Sequence, residues 1–395
     1  MRVDMPPEDE LCLLLARAQL SPEAREWALK LLAGPLPWPR VFERAGSFEV
    51  FPLLYAGLRT LGFPGVPDPV RSEWAKIFRI NAIRNELLAI ELARILRLLG
   101  DAGIPVMPLK GVPLAESLYG DPALRACADI DVLVPSRHAI EAFHVVVSSG
   151  YRPEFTEPRL LDLAVRYAFH GVLGRGERTR IYRLELHWAL FSGGGLEREL
   201  LEQVWSEAAR KTFYGVPAFA LSAEWEFLYL AVHAGQDSGL SLKWFADLDR
   251  LCSRGILDWK KVNDQAKSLG WDQAVRSSLA ACGALFGTPI DPVFGLTAPP
   301  HWPPALLSSP LAMPTDDLFN LRLLRTPGRK LRFLANRLLV PTPAECKVLP
   351  LPASLFFLYY ALRPLRVACV ALRWFIQAGT EMLWRMLGQV DRGGE

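Results

Sequence analysis

The chain reads as helical from Leu11 to about Leu99, and residues 70–99 place apolar side chains at three- and four-residue steps, the spacing of one helix face. Ser21-Pro22-Glu23 has the form of an N-cap followed by proline in the first turn, and Gly100 and Gly103 close the region. Gly34-Pro35-Leu36-Pro37-Trp38-Pro39 and Phe63-Pro64-Gly65-Val66-Pro67 are predicted to be turns or extended connectors, because proline removes a helical donor and restricts its predecessor. At Ile104 the pattern changes. Ile104 to Leu109 predicts a short apolar strand, residues 112–119 a helix, and Ala128 to Val134 a second strand that alternates charged with apolar. A helix follows from about Arg137 to Ser148. After a polar stretch, Ile181 to Leu190 predicts a third strand with Glu185 and His187 on one face. Amphipathic helices return from Ala223 to about Phe286, a proline-rich segment fills 289–314, and 318–388 is helical again. No internal repeat is visible at a fixed period.

Strands and helices alternating between helical flanks predict an α+β fold: a small mixed sheet with helices packed against it, a helical N-terminal region and a helical C-terminal domain. The corresponding divisions are 1–99, 100–220, 221–314 and 315–395. A length of 395 residues, 51% hydrophobic and 22% charged, suits two or three packed units and argues against long disordered stretches. The formal net charge is +3, yet residues 318–395 hold twelve Lys or Arg against four Asp or Glu. That asymmetry points either to an anionic partner for the C-terminal end or to a solvated helical face. The six cysteines are scattered singly, without the spacing of a zinc site or a disulfide framework, so a reducing compartment is the expectation. The N-terminus lacks the basic start and apolar run of a secretion signal, which places the expected location in the cytoplasm.

Asp129-Ile130-Asp131-Val132-Leu133-Val134 is the most informative run, because aspartate is a poor strand former and here two interrupt an apolar strand at i and i+2. Both carboxylates are predicted to project from one face, with Cα atoms about 6.5 Å apart, a spacing that suits shared oxygen-ligated cations such as Mg²⁺. A strand end where both acids simply face water is the alternative for an isolated Asp-x-Asp. Context adds to the first reading. Lys110-Gly111 ends one strand and opens a helix, where glycine permits close backbone approach to a phosphate and lysine can neutralise it. Glu185 offers a third carboxylate on a later strand, if the strands are neighbours.

Taken together, Leu109-Lys110-Gly111, Tyr119, Arg125, Asp129-Ile130-Asp131 and Glu185-Leu186-His187-Trp188 resemble the uncharacterised nucleotidyltransferase family of the DNA polymerase beta-like superfamily, over roughly residues 80–255. Val112 stands where the superfamily places a second small residue after the glycine. The resemblance implies a nucleotidyltransferase domain over 100–220 followed by helices that wall a substrate cleft. It implies that Asp129 and Asp131 bind two Mg²⁺ ions, and that Glu185 is the third metal-binding carboxylate and helps to activate the incoming hydroxyl. His187 would contact the acceptor or orient that carboxylate, or else be a packed side chain. Arg125 would reach the β- or γ-phosphate through its fork, or pair with an acid. Lys243 and Asp247, in a run with His233 that also matches the family, would be nucleotide contacts, or Asp247 would pair with a neighbouring arginine such as Arg250.

The expected reaction is transfer of a nucleoside monophosphate, AMP in the favoured case, from a metal-bound triphosphate to a hydroxyl or phosphate acceptor, with pyrophosphate as leaving group. ATP is the favoured donor and the acceptor is unidentified: a small molecule, saccharide, peptide or protein. The alternative is a catalytically weak nucleotide-binding or regulatory module attached to an envelope or natural-product assembly. A net charge of +3 gives little support for a surface that tracks nucleic acid. The aromatic and apolar stretch 355–387 is not expected to span a bilayer, because the longest uncharged run, Val348 to Leu362, is fifteen residues with two prolines, too short and broken to do so. Its wheel gathers Arg366, Arg373, Gln377, Glu381 and Arg385 on one side, so it is expected to pack on its own domain or to lie peripherally on the inner membrane face.

Overall fold

Five helices occupy the first hundred residues: α1 (Pro7–Ala16), α2 (Pro22–Leu32), α3 (Trp38–Ser47), α4 (Phe51–Thr60) and α5 (Asp68–Asp101). Each carries a proline at its first or second position, where the missing N–H costs no helical bond. The prolines that break the sequence pattern therefore also start the helices. Ser21 caps α2 as expected, its hydroxyl accepting from the Ala24 N–H at 3.2 Å. This computed structural model describes residues 5–155, 157–177, 180–191, 197–236, 241–296, 315–370 and 372–373.

Beyond α5 the chain forms β1 (Met107–Pro108), α6 (Val112–Tyr119), β2 (Ile130–Leu133), α7 (Ala139–Ser148), β3 (Arg152–Pro153), α8 (Pro158–Tyr167), β4 (His170–Glu177) and β5 (Arg180–His187). Next come α9 (Glu197–Ser206), the hairpin β6 (Ala209–Phe213) and β7 (Val216–Ala220), and the helices α10 (Ala223–Gln236), α11 (Leu242–Cys252), α12 (Trp259–Leu269) and α13 (Asp272–Phe286). The main sheet has the order β1-β2-β5-β4-β3. Only β2 and β5 run parallel, and every other pair is antiparallel. This is the α+β architecture that the sequence pattern predicts.

Alternation along the strands divides the sheet between two environments. Ile130, Val132, Leu184 and Leu186 point into a core shared with Leu92, Leu96 and Leu99 of α5 and with Phe143 and Val146 of α7. The opposite face carries Asp131, Glu185 and His187, and its Leu133 joins a second core formed by α1, α3 and α4 together with α10, α11 and α13. One face is thus filled by hydrocarbon, and the acids stand on the other where the helical unit approaches.

Three strand expectations change at their ends or are joined by new neighbours. The strand over 104–109 shrinks to Met107–Pro108, because Pro105 and Pro108 have no N–H to give a ladder. Residues 151–180, read as a polar stretch, contain β3, α8 and the whole of β4. Glycines at 171, 174 and 176 deprive β4 of strand propensity, yet Gly171 is required beneath Trp188, whose ring lies 3.2 Å from where a Cβ would be. The β6-β7 hairpin turns on Tyr214 and Gly215, both at positive φ (49° and 77°), as a two-residue type I′ turn requires. Phe219 donates to the Val106 carbonyl at 2.9 Å and fixes the hairpin beside β1.

At the C-terminal end, helices cover Thr315–Leu323, Pro327–Leu339, Pro343–Val348 and 359–370. Pro350 and Pro352 lie outside helix, as expected, but the stretch Ala353–Val370 that follows them is long and apolar enough to cross a membrane by length and composition, with mean hydropathy 1.3, and it accommodates Pro364. Arg363 in its middle is nevertheless buried, donating to Glu345 at 3.0 Å and to the Arg337 carbonyl at 2.9 Å, which ties this largely exposed stretch to the two preceding helices. Of the proline-rich segment, 297–314 lies outside the described residues, as does 374–387 of the amphipathic stretch with Gln377, Glu381 and Arg385.

Burial pushes the Glu345 carboxyl up, but hydrogen bonds from Thr342, Arg366 and Arg363 outweigh it and bring it down from 4.5 to about 2. A carboxylate lowered on folding contributes stability that is present above its ordinary value and lost as pH falls through the folded one. Glu345→Gln should therefore cost about 3–5 kcal/mol at neutral pH by leaving Arg363 buried without its counter-charge. The gap between wild type and variant, read from urea unfolding, should narrow as pH drops from 4.5 to 2. A gap that stays constant over that window would show that the ion pair does not form.

Candidate active site

The parallel pairing of β2 with β5 sets Asp131 beside Glu185 in register, and Leu133 beside His187. Side chains two residues apart share a face, so Asp131, Glu185 and His187 meet on the face turned away from α5 and α7. His187 Nε2 lies 3.2 Å from Asp131 Oδ1 and 3.5 Å from Glu185 Oε2. One ligand atom from each of the three falls within 4.8 Å of the others. Asp129 immediately precedes the strand and is half-buried, outside that tight group. Its carboxyl is raised, first by burial and then by the nearby Asp131 charge.

Lys110 reaches this cluster from the turn after β1, with Nζ 3.4 Å from Asp131 Oδ1 and 3.5 Å from His233 Nε2. Burial works against its charge, but Tyr229 and the three acids outweigh it, so the ammonium is held more firmly than in water. Gly111 follows at φ 79° as the residue before α6, and a Cβ there would sit 3.3 Å from the Asp129 carbonyl oxygen. The close approach that glycine permits here is thus to the acidic strand itself, and Pro113 removes one donor from the start of α6.

Competing effects act on the remaining groups. Burial raises the Glu185 carboxyl, yet the His187 hydrogen bond and the charges of His170, His187 and Lys110 hold it far below the usual carboxylate range. Burial lowers His187, but hydrogen bonds to Asp131 and Glu185 raise it on balance. His170, opposite His187 across β4 and β5, stacks on it with ring centroids 5.0 Å apart and is lowered to about 4 by burial and by His187. His170 is absent from the sequence expectations because nothing about a glycine-rich polar stretch announces a strand. Arg183, two residues before Glu185 on β5, was likewise not anticipated; it donates to Glu185 Oε1 at 2.9 Å and is half-exposed.

The other expected nucleotide contacts are engaged with groups of the protein. Arg125 and Asp247 face each other, both buried, with donor distances of 2.8 Å and 3.0 Å, and Tyr119 donates to the same carboxylate at 2.5 Å. Asp247 is therefore the acid that occupies the Arg125 fork, in place of a phosphate, and Arg250 turns instead to the Ala16 and Arg17 carbonyls. The Arg125 carbonyl is held in turn by Asn85 at 2.7 Å. Lys243 is buried and pairs with Glu49 at 2.9 Å, which joins α11 to the N-terminal helices. Between these groups stands Trp244, with Lys110, Arg125 and Lys243 at 5.5, 5.3 and 4.6 Å from its ring, so that an aromatic plate carries three cations at the edge of the acidic cluster.

Two buried atoms test whether a cation fits. Asp131 Oδ2 and His187 Nδ1 have no hydrogen-bond partner among the described residues, although the Asp131 side chain has no exposure. A buried carboxylate oxygen without a donor is expensive unless something absent from the protein satisfies it. Two carboxylates and an imidazole within reach of one point supply the donor set for a divalent ion.

A model of the uncharacterised nucleotidyltransferase family matches residues 34–287, more than half of the chain, and the protein belongs to that family. No curated protein matches it. Among solved structures, an antigenic nucleotidyltransferase-like protein from Paracoccidioides brasiliensis is similar at 15% identity and a TM-score of 0.31, covering 51% of this chain and 96% of that one.

Asp247→Ala should destabilise the protein by about 3–5 kcal/mol, because it leaves the Arg125 guanidinium buried and unpaired. Tyr119→Phe should cost only about 1 kcal/mol, the worth of one hydrogen bond. Urea denaturation followed by circular dichroism measures both. If Asp247→Ala leaves stability unchanged and alters only nucleotide affinity, the pair is not the structural lock described above.

Proposed function

We propose that this member of the uncharacterised nucleotidyltransferase family transfers a nucleoside monophosphate, AMP in the favoured case, from a metal-bound triphosphate to a hydroxyl or phosphate acceptor. The observation that carries the reading is the in-register pairing of Asp131 with Glu185 on parallel strands, on the sheet face that Lys110 also reaches. Asp129, Asp131 and Glu185 would hold the divalent ions, which when bound neutralise charge on the α-phosphate and on the departing pyrophosphate.

The protein's own groups do the rest. Lys110, kept charged by its acidic surroundings, is placed to balance negative charge that the carboxylates bring together. Glu185 stays ionised across the physiological range and accepts the hydrogen bond of an incoming hydroxyl, fixing its oxygen for in-line attack. In the reaction the acceptor oxygen bonds to the α-phosphorus and the bond from that phosphorus to the β-bridging oxygen breaks. Pyrophosphate leaves, and the hydroxyl proton passes to a carboxylate of the site. Trp244, with its ring of cations, forms the wall against which the phosphates are oriented. His187 Nε2 stands against both carboxylates, 3.2 Å from Asp131 and 3.5 Å from Glu185.

A second feature bears on where the reaction takes place. Leu331, Leu334 and Leu338 are exposed at helical spacing on Pro327–Leu339, and Phe357 and Leu365 are exposed on the following helices. With Arg329 and Lys330 beside them, in an end of the chain that carries twelve cations against four acids, the fitting occupant is an anionic lipid surface on the cytoplasmic side.

Incubation with radiolabelled nucleoside triphosphates, a divalent metal and extract of the producing cells should yield a labelled product. Asp131→Asn should lower labelling below about one hundredth of wild type, a larger loss than removal of an outer-shell partner gives. Equal labelling by wild type and variant would remove the transferase reading. Vesicles containing phosphatidylserine should sediment the full chain, and Leu331→Ser with Leu334→Ser should leave it in the supernatant; recovery in the supernatant for wild type as well would end the membrane assignment.

A further inference from the structure

The three donors that converge on the sheet face differ in hardness, and they include only one of the two aspartates. Asp131, Glu185 and His187 each bring a ligand atom within 4.8 Å of the others. His187 directs Nε2 at both carboxylates, at 3.2 and 3.5 Å, while Phe169 and His170 pack around its ring and fix its plane. Asp131 Oδ2 is buried without a donor, and Lys110 approaches the other oxygen of the same carboxylate. Nothing among the described residues is placed to satisfy Oδ2, so the arrangement lacks a positive partner at that atom. Asp129 stands apart, half-buried at the start of the strand.

We infer that Asp131, Glu185 and His187 form a metal site of their own, complete without nucleotide, in which His187 Nε2 is a ligand and a first-row transition ion is held in preference to Mg²⁺. Asp129 is then left for a second ion that arrives with the triphosphate, the one part of the inference that rests on the transferase reading. Mg²⁺ favours an all-oxygen octahedron and gives up its waters reluctantly, so an imidazole in the ligand set works against it. Nitrogen donors favour the first-row transition ions, whose affinities rise from Mn²⁺ onward. Mn²⁺ is the weakest binder of that series, so a preference for it over Mg²⁺ extends to the later ions. The imidazole is also anchored by its neighbours on a strand in the middle of the sheet, which keeps Nε2 in place when no ion is bound.

Mn²⁺ alone, added to the full chain without nucleotide, is the probe. Isothermal titration should show Mn²⁺ binding about tenfold or more tightly than Mg²⁺. Pulsed paramagnetic resonance of the Mn²⁺ complex should show the coupling of one directly bound imidazole nitrogen. His187→Asn should lose that coupling and weaken Mn²⁺ binding by about 10- to 100-fold or more. Asp129→Asn should keep both the coupling and the affinity. The wild-type spectrum needs no variant and decides the matter if a substituted chain does not fold. Absence of nitrogen coupling in wild type, or equal affinity for Mn²⁺ and Mg²⁺, overturns the inference, and His187 is then a hydrogen-bonding support for the two carboxylates. Nitrogen coupling in a protein that transfers no labelled nucleotide supports this site while removing the transferase reading.

Discussion

Parallel pairing between β2 and β5 governs everything that happens on the acidic face. A strand places side chains on alternate faces, so a shift of one residue in that register would send Asp131 or Glu185 into the hydrocarbon of α5 and α7. The register is held from the opposite face. Ile130 pairs with Leu184 and Val132 with Leu186, and all four are buried beneath Leu92, Leu96, Phe143 and Val146. The apolar core thus selects the only alignment in which two carboxylates and an imidazole stand together. The electrostatic cost of bringing like charges together is met on the acidic face by Lys110 and by the His187 ring.

A second constraint fixes the approach of the helical unit to that face. The segment before β2 is tied to α11 by Arg125, Asp247 and Tyr119, and to α5 by Asn85 and Asn81, which donate to the Arg125 carbonyl. Arg125 and Asp247 are buried, where a misplaced charge is far more costly than on a surface. The consequence is that α11 cannot slide against the acidic strand without breaking a desolvated ion pair. Trp244 is carried on the same helix, so its distance from Lys110 is set by the same lock. Lys243 extends the arrangement to Glu49, and the N-terminal helices join the same interior as α10, α11 and α13.

The parts of this arrangement that could be read from the sequence are those with a local signature. Aspartates at i and i+2 in an apolar run, a glycine opening a helix, and a Glu-x-His on a later strand each violate a simple propensity, and such violations mark where side chains are wanted for something other than the core. The helix that opens at Ser21-Pro22 was legible from its cap and first-turn proline, whereas Trp38-Pro39, read as a connector, begins α3. The β4 strand was not legible, because Gly171, Gly174 and Gly176 hide it, and the demand for glycine at 171 comes from Trp188, the residue after β5. The partner of Arg125 was equally hidden. An arginine four residues before an acidic pair suggests phosphate, whereas the carboxylate that occupies its fork stands far along the chain on a helix whose placement no local pattern records. Expected strand ends at 104 and 190 failed for a plainer reason, since proline removes donors and the partner strand ends first.

The distribution of paired and unpaired groups around the site separates support from chemistry. Arg125, Asp247, Tyr119, Lys243 and Glu49 all have partners within the protein, and their geometry is complete as it stands. Asp131 is different: one oxygen meets Lys110 and His187, and the other, fully buried, meets no donor among the described residues. Folding normally eliminates such an atom, because the desolvation penalty falls on the native state alone. Its retention at the point where Glu185 and the imidazole also converge is the observation on which the proposed cation site rests. Of the cations around it, Arg125 and Lys243 are taken up by Asp247 and Glu49, while Lys110 and Arg183 each meet one carboxylate oxygen of the cluster and leave Asp131 Oδ2 without a donor among the described residues.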